Sequence, residues 1–394
     1  MSTVIVGGGI TGLYLARELA KKGTKVLLLE KDRHVGGRIH TINGLEAGAG
    51  RIHDSHKLAL GLIKEYGLNT IQLGKDSYWR SIGSSVSMQN RFEAVWAAFL
   101  EQIRFLSPAV LSVMTLQQVA REILGPDSAK ALLDLFPYRT ELESMRADVA
   151  LLGFDRVAKG GYCVVAGGLT LLVDALVDTL KKLGVEIRTG LAVTDVTLEA
   201  DGSYLVHSKS PPDTLSASRV ILSIPVTELR RLPVMRGFKT LEHLDMAPLI
   251  RIYAKFPTSW FSDSERLVTD SPLRYIIPIR AEEGIIMISY TDGRDTKRWA
   301  GLAGPALAQI IHQEVKRLFP ERNVPAPSWV KSYDWKDGTT YWKPGSYDAA
   351  AESEAAIRPR PSTMPELYVC GESFSLLQAW IEGSLEHANQ LLSL

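Results

Sequence analysis

The stretch Thr3-Val4-Ile5-Val6-Gly7-Gly8-Gly9-Ile10-Thr11-Gly12, continued by Leu13 to Lys22, Gly23 and Lys25-Val26-Leu27-Leu28-Leu29-Glu30, decides the fold class of this chain. Thr3 to Val6 is an apolar, mostly β-branched run of the kind a parallel strand covered on both faces requires. Leu13 to Lys22 has helical composition, with Leu15, Leu19 and Ala20 available to face a sheet, and Gly23 stops it. Lys25 to Leu29 is a second buried strand, closed by Glu30. Strand, Gly-x-Gly-x-x-Gly, helix, strand and acid together predict an α/β unit that binds a dinucleotide. Gly7 permits the tight turn, Gly9 lets backbone approach a pyrophosphate, and Gly12 lets helix and strand pack closely. Free N–H groups and the positive end of the helix dipole, at Ile10 and Thr11, then face the phosphates. Glu30, 18 residues after Gly12, is placed to bond ribose hydroxyls and to repel a 2′-phosphate.

This fingerprint alone leaves NAD and FAD open. Farther on, His34-Val35-Gly36-Gly37-Arg38 sets an arginine behind a Gly-Gly turn, where its fork can grip the same pyrophosphate.

The rest of the chain is consistent with an ordinary globular enzyme of two or three domains in 394 residues. Lys plus Arg (45) nearly cancels Asp plus Glu (44), which gives no electrostatic case for nucleic acid or an acidic membrane surface. Cys163 and Cys370 are far apart, so a disulfide scaffold and a thiolate zinc site are excluded, and a reducing, cytoplasmic setting is expected. No targeting segment and no run near the roughly 20 residues needed to span a bilayer is visible. His53-Asp54-Ser55-His56 lacks a third ligand for a metal, and Asp54 reads as the N-cap of the helix that follows. Ser84-Ser85-Val86-Ser87 reads as a loop and not as a nucleophile elbow, and Pro211-Pro212-Asp213 as a turn between strands.

Gly7 to Gly12, Glu30 and Gly36-Gly37-Arg38 resemble the FAD-binding start of the flavin-dependent amine oxidases, the family of monoamine, polyamine and L-amino-acid oxidases. Further matches follow in the family's order. Gly48-Ala49-Gly50-Arg51-Ile52-His53 resembles the segment beside the flavin ring. The strands around Val185 to Ile187 and Val193 to Val196 resemble those where a valine backbone meets adenine. Leu367-Tyr368-Val369-Cys370-Gly371-Glu372 resembles the strand whose glutamate meets the ribityl or pyrophosphate region. Trp380-Ile381-Glu382-Gly383-Ser384 resembles the turn that opens the last helix toward the flavin.

The resemblance implies an α/β, two-domain flavoprotein. A discontinuous Rossmann-like FAD-binding domain would comprise residues 1–75, 160–235 and 345–394, and an α+β substrate domain residues 76–159 and 236–344. It implies FAD at Gly7, Gly9, Ile10, Thr11, Gly12, Glu30, Gly37, Arg38, Gly50, Arg51, Val193, Gly371, Glu372 and Ile381, and no metal. It implies hydride transfer from the α-carbon of an amine to flavin N5, giving an imine, with oxygen reoxidising the flavin to release peroxide.

Two departures stand out. The family's strand lysine aligns with Arg251, which cannot give up its proton. Aligning Thr339-Thr340-Tyr341-Trp342-Lys343-Pro344-Gly345 with monoamine oxidase sets Gly338 where an aromatic is expected and Asp337 where that enzyme has its flavin-linking cysteine. Non-covalent FAD is therefore expected, with Trp380 as one wall of the substrate cage and the other wall missing or replaced by Trp335 or Tyr341. The departures also favour, as the alternative, a related desaturase, isomerase or protoporphyrinogen-oxidase-like enzyme. The substrate stays open between an amino acid, for which Arg51 and Arg251 are available, and a primary amine or polyamine.

Overall fold

The computed structural model describes residues 2–73, 77–82, 89–209, 212–263 and 265–394. Ser2–Val6 is the middle strand of a five-stranded sheet in which every pairing is parallel. Lys25–Leu29 and then Glu186–Arg188 lie to one side; Arg219–Leu222 and then Leu367–Val369 lie to the other. The uninterrupted apolar runs have their reason here. Helices cover the sheet, and Ile5, Leu28, Ile221 and Leu222 are fully buried. Helices Ile10–Lys21, Thr170–Lys182 and Ile381–Leu392 pack together over it through Leu13, Leu15, Leu172, Leu176 and Leu385.

A second sheet of six strands runs in the order Trp329–Trp342, Leu244–Lys255, Ile285–Asp292, Tyr275–Arg280, Arg266–Thr269, Ser77–Arg80. Its neighbours are antiparallel except the last pair. The period of two sorts the central strand: Ile250, Ile252 and Ala254 pack under helix Gly304–Leu318, while Leu249 and Tyr253 join Tyr275 and Tyr290 on the opposite face. Arg251 lies on that opposite face, level with Tyr290 and Tyr333.

Helices occupy much of residues 89–156, including Leu116–Leu124, which Thr115 opens with a capping box to Gln118. They bury a cluster of aromatic rings that includes Trp96, Phe99, Phe136 and Phe154.

Two local expectations are corrected. Asp54 caps no helix. The helix begins at Lys57, and Asp54 instead accepts the Gly161 N–H at 2.7 Å. Pro212 and Asp213 belong to the strand Pro212–Ala217 that pairs back on Tyr204–Lys209, and Pro211 lies outside the described residues. Ser84 to Ser87 lie outside the described residues. Among the described residues no helix is long and apolar enough to cross a membrane.

Candidate active site

A cavity of about 940 Å³ runs from the end of the parallel sheet to the face of the six-stranded sheet. That is the upper range for a ligand site. Gly7, Gly9, Ile10, Thr11, Glu30, Gly37, Arg38, Gly50, Arg51, Val193, Arg251, Trp335, Gly371, Glu372, Trp380 and Ile381 all line it. Residues chosen from separate ends of the sequence are thus brought to one place.

The glycine turn fits a dinucleotide in three ways. Gly7 holds a left-handed φ of +109°, and a Cβ there would lie 2.2 Å from the Ser223 carbonyl oxygen. A Cβ on Gly12 would lie 2.0 Å from the Gly7 oxygen, so Gly12 shapes the turn without lining the cavity. Gly9 is the opposite case. A Cβ there meets no atom within 4 Å and would project into the open space in front of the helix N-terminus. No side chain caps that terminus, so its first N–H groups are left for an anion. Glu30 is buried and held by two backbone donors, Gly8 N–H on Oε2 at 2.7 Å and Asp32 N–H on Oε1 at 2.9 Å. Its position is set before any ribose arrives.

Arg38 and Glu372 meet beside this turn. The Arg38 Nη2 donates to Glu372 Oε2 at 2.8 Å, and Nη1 to the Gly338 carbonyl at 3.2 Å. Glu372 also accepts from the Thr340 hydroxyl at 2.9 Å and from the Ala379 N–H at 2.7 Å. The carboxylate is buried, yet fully satisfied.

The far end is aromatic and cationic. Trp380 stacks on Tyr162 at 5.8 Å and meets the edge of His56 at 4.9 Å. Burial pushes His56 down to about 4, so it stays neutral. Trp380 stands at the start of helix Ile381–Leu392, whose N-terminus no side chain caps. Arg51 donates to the Tyr138 hydroxyl at 2.6 Å, and its guanidinium lies within 6 Å of the ring centres of Tyr138, Tyr162, Tyr275 and Tyr290. Arg251 is buried, donates to the Glu46 carbonyl at 3.1 Å and rests 4.7 Å from the Tyr290 ring centre. Among the described residues, no carboxylate lies within 4 Å of either guanidinium, and the Arg251 Nε has no acceptor.

The second cage wall is corrected in part. Trp335 lines the cavity, its Nε1 bound to the Ala47 carbonyl at 2.7 Å. Tyr341 does not line it. Six residues of strand span roughly 20 Å at about 3.3 Å each, and Tyr341 is carried past the cavity into the core, bonded to Ser144. Gly338 itself is closely packed. Leu249 is paired with Trp335 and Ala247 with Thr339, so the strand bulges over 336–338, and a Cβ on Gly338 would lie 2.5 Å from the Leu249 Cβ.

Four lining residues carry no sequence signal: Tyr138, Glu141, Tyr290 and Asp292. They come from the start of a short helix and the residues before it, and from a strand end, far apart in the chain. Cys370, just after the strand Leu367–Val369, is a buried thiol, and burial pushes it well up. Among the described residues no cluster of His, Cys, Asp and Glu could hold a metal.

This geometry coincides with a family. The profile of the flavin containing amine oxidoreductases matches residues 10–145 and 127–390. The chain belongs to the flavin-containing amine oxidoreductase family. It is 23% identical to the flavin-dependent L-tryptophan oxidase of Lentzea aerocolonigenes over 98% of this chain and 95% of that one. It is 25% identical to the L-amino-acid oxidase of Mus musculus over 97% of this chain and 69% of that one. It is 23% identical to the protoporphyrinogen oxidase of Homo sapiens over 73% of this chain and 72% of that one. As a family member it is a flavin-dependent oxidoreductase acting on amines, with FAD as its cofactor.

Proposed function

We propose that this chain is an FAD-dependent oxidase of α-amino acids. In this reading FAD is bound without a covalent link by a Rossmann-like domain of residues 1–75, 160–235 and 345–394, and residues 76–159 and 236–344 form the substrate domain. The observation that carries the substrate class is the pair Arg51 and Arg251. Two guanidinium groups face one cavity, beside Trp380, and among the described residues no carboxylate lies within 4 Å of either to pair with it. Uncompensated charge at a secluded site is costly. A substrate carboxylate offsets that cost, and a plain amine does not.

When bound, FAD supplies the oxidant that takes a hydride from the substrate α-carbon, and oxygen then takes up the electrons. The residues of the chain bind and orient. The N–H groups at Ile10 and Thr11, together with Arg38, face the pyrophosphate, and Glu30 the ribose. The uncapped N-terminus at Ile381 faces the ring edge where negative charge develops, which it stabilises by its dipole. Trp380 and Trp335 wall the substrate, and Arg51 takes its carboxylate. Asp337 is no nucleophile for a flavin methyl group; it accepts the Thr227 hydroxyl at 2.8 Å.

The test is anaerobic bleaching of the yellow holoprotein by L-amino acids and by the amines made from them by decarboxylation. Bleaching by the acids and not by the amines supports the reading. Bleaching by the amines alone replaces it with a simple amine oxidase, and bleaching by neither favours a desaturase or isomerase relative.

A further inference from the structure

Two acids in the cavity wall have no part in the reading above. Asp292 ends the strand Ile285–Asp292. Its Oδ1 accepts the Arg139 N–H at 2.7 Å and its Oδ2 the Thr140 N–H at 2.8 Å. It therefore fixes the start of the short helix Thr140–Glu143 and, with it, the place of Glu141. Glu141 lines the cavity beside Arg51 and Tyr138. Its Oε2 is buried and has no hydrogen-bond partner among the described residues. A buried carboxylate oxygen without a donor is costly to fold. It is held between an arginine that lacks an anion and an aspartate already committed to backbone.

We propose that Glu141 is the catalytic base of this site, taking a proton from the ammonium group of an amino acid whose carboxylate Arg51 holds. The proposal rests on the amino-acid reading given above. An amine bearing a proton has no free electron pair, so its oxidation requires that proton to leave first. In the step, an N–H bond of the ammonium breaks and an O–H bond forms on Glu141, while the electron pair stays on nitrogen. That pair becomes the second bond of C=N as the α-hydrogen leaves with two electrons for oxidised FAD. The substrate loses two electrons, the flavin gains two, and the proton on Glu141 passes to water.

The surroundings suit a base that works in mildly alkaline solution. Burial, and next the charge of Asp292, push Glu141 up to about 8, with Arg51 opposing. Tyr138 and Tyr162 stand nearby, and burial raises both; Tyr290 and Arg251 line the same cavity. On the helix itself the remaining charges are engaged elsewhere, Arg139 with Asp295 at 2.8 Å and Glu143 with Arg294 at 2.9 Å. Glu141 is ionised above about 8 and able to accept a proton; below that it is a neutral acid.

The experiment is stopped-flow flavin reduction of the holoenzyme under anaerobic conditions from pH 6 to 10, with an L-amino acid that bleaches the wild type. The wild-type rate should climb to a plateau above about pH 8. In Glu141→Gln it should fall roughly 10²-fold or more at pH 8, and its climb should move up to the ionisation of the free substrate ammonium. A second readout needs no turnover. Calorimetry with 2-aminoisobutyrate, which has no α-hydrogen, in buffers of different protonation enthalpy at pH 7 should show proton release to buffer in the wild type, where the bound ammonium ionises Glu141, that is absent in Glu141→Gln. A Glu141→Gln protein with wild-type flavin spectrum and wild-type pH profile overturns the proposal. Should that variant fail to fold, Asp292→Asn decides: removing the neighbouring anion should lower the pH of the climb, and an unmoved climb overturns the proposal. If wild-type flavin is reduced by no amino acid, the substrate reading falls and takes this one with it; if it is reduced and the profiles coincide, only this one falls.

Discussion

The Arg38 guanidinium donates to the Glu372 carboxylate at 2.8 Å, though the two residues stand 334 apart in the chain. One closes the first βα unit and the other follows the last strand, so the pair ties both ends of the fold to the mouth of the dinucleotide site. Arg38→Ala should weaken FAD binding by about tenfold or more, since it removes a charge-assisted donor at the pyrophosphate and leaves buried Glu372 without its counter-ion. Flavin retained after ultrafiltration measures this, and full retention would contradict the role.

The three glycines of the first turn separate folding from binding. Gly9→Val points its side chain at open space. The apoprotein should keep its melting temperature within about a degree while FAD affinity falls. Gly12→Ala must displace the Gly7 backbone and should cost both, with the melting temperature down by several degrees, as overpacking of a few kcal/mol predicts. Thermal melts of the two apoproteins side by side check the contrast.

Glu382 accepts the N–H groups of Leu58 and Ala59, each at 2.9 Å. It is the cap of the helix Lys57–Glu65, supplied from the far end of the chain. Glu382→Ala should destabilise the protein by about 1–2 kcal/mol, read as a shift in denaturant midpoint.

Glu141 gives a stability signature with a definite sign. Its folded pKa, about 8, lies above the ordinary carboxyl value of 4.5. The unfolded chain therefore releases this proton first as pH rises, and the group erodes stability between about pH 4.5 and 8. Glu141→Gln cannot ionise. The variant apoprotein should melt at the wild-type temperature near pH 4.5 and a few degrees above it at pH 8.5. Parallel curves at both pH values would contradict the raised pKa.

In the proposed reading Arg251 takes the place of the family's strand lysine, and arginine keeps its proton. Arg251→Lys should speed reoxidation of reduced flavin by oxygen, measured by mixing reduced enzyme with oxygenated buffer. An unchanged rate would show that the position carries no oxygen chemistry in this chain.

The parallel sheet was legible because its signals are local. Thr3 to Glu30 holds strand, turn, helix and acid in consecutive residues, and Gly371-Glu372 sits at the end of its own strand. Asp54 misled because a polar residue before a helix is the ordinary cap, and nothing nearby shows that Glu382 does that work. Trp335 and Tyr341 could not be told apart, since the bulge over 336–338 depends on close approach to Leu249 in another strand. Tyr138, Glu141, Tyr290 and Asp292 form no motif. They meet only when the strand that ends at Asp292 caps the helix at Thr140, and a pairing across 152 residues leaves no trace in spacing.

The most direct measurement compares Arg51→Gln with the wild type in anaerobic flavin reduction, using one L-amino acid and its decarboxylated amine. With Arg51 reading the carboxylate, kcat/KM for the acid falls at least about thirtyfold, the cost of losing roughly 2 kcal/mol or more of paired charge, while that for the amine is unchanged or rises. Equal losses for the two compounds would contradict that role, because Arg51 would then serve the site as a whole and read no carboxylate.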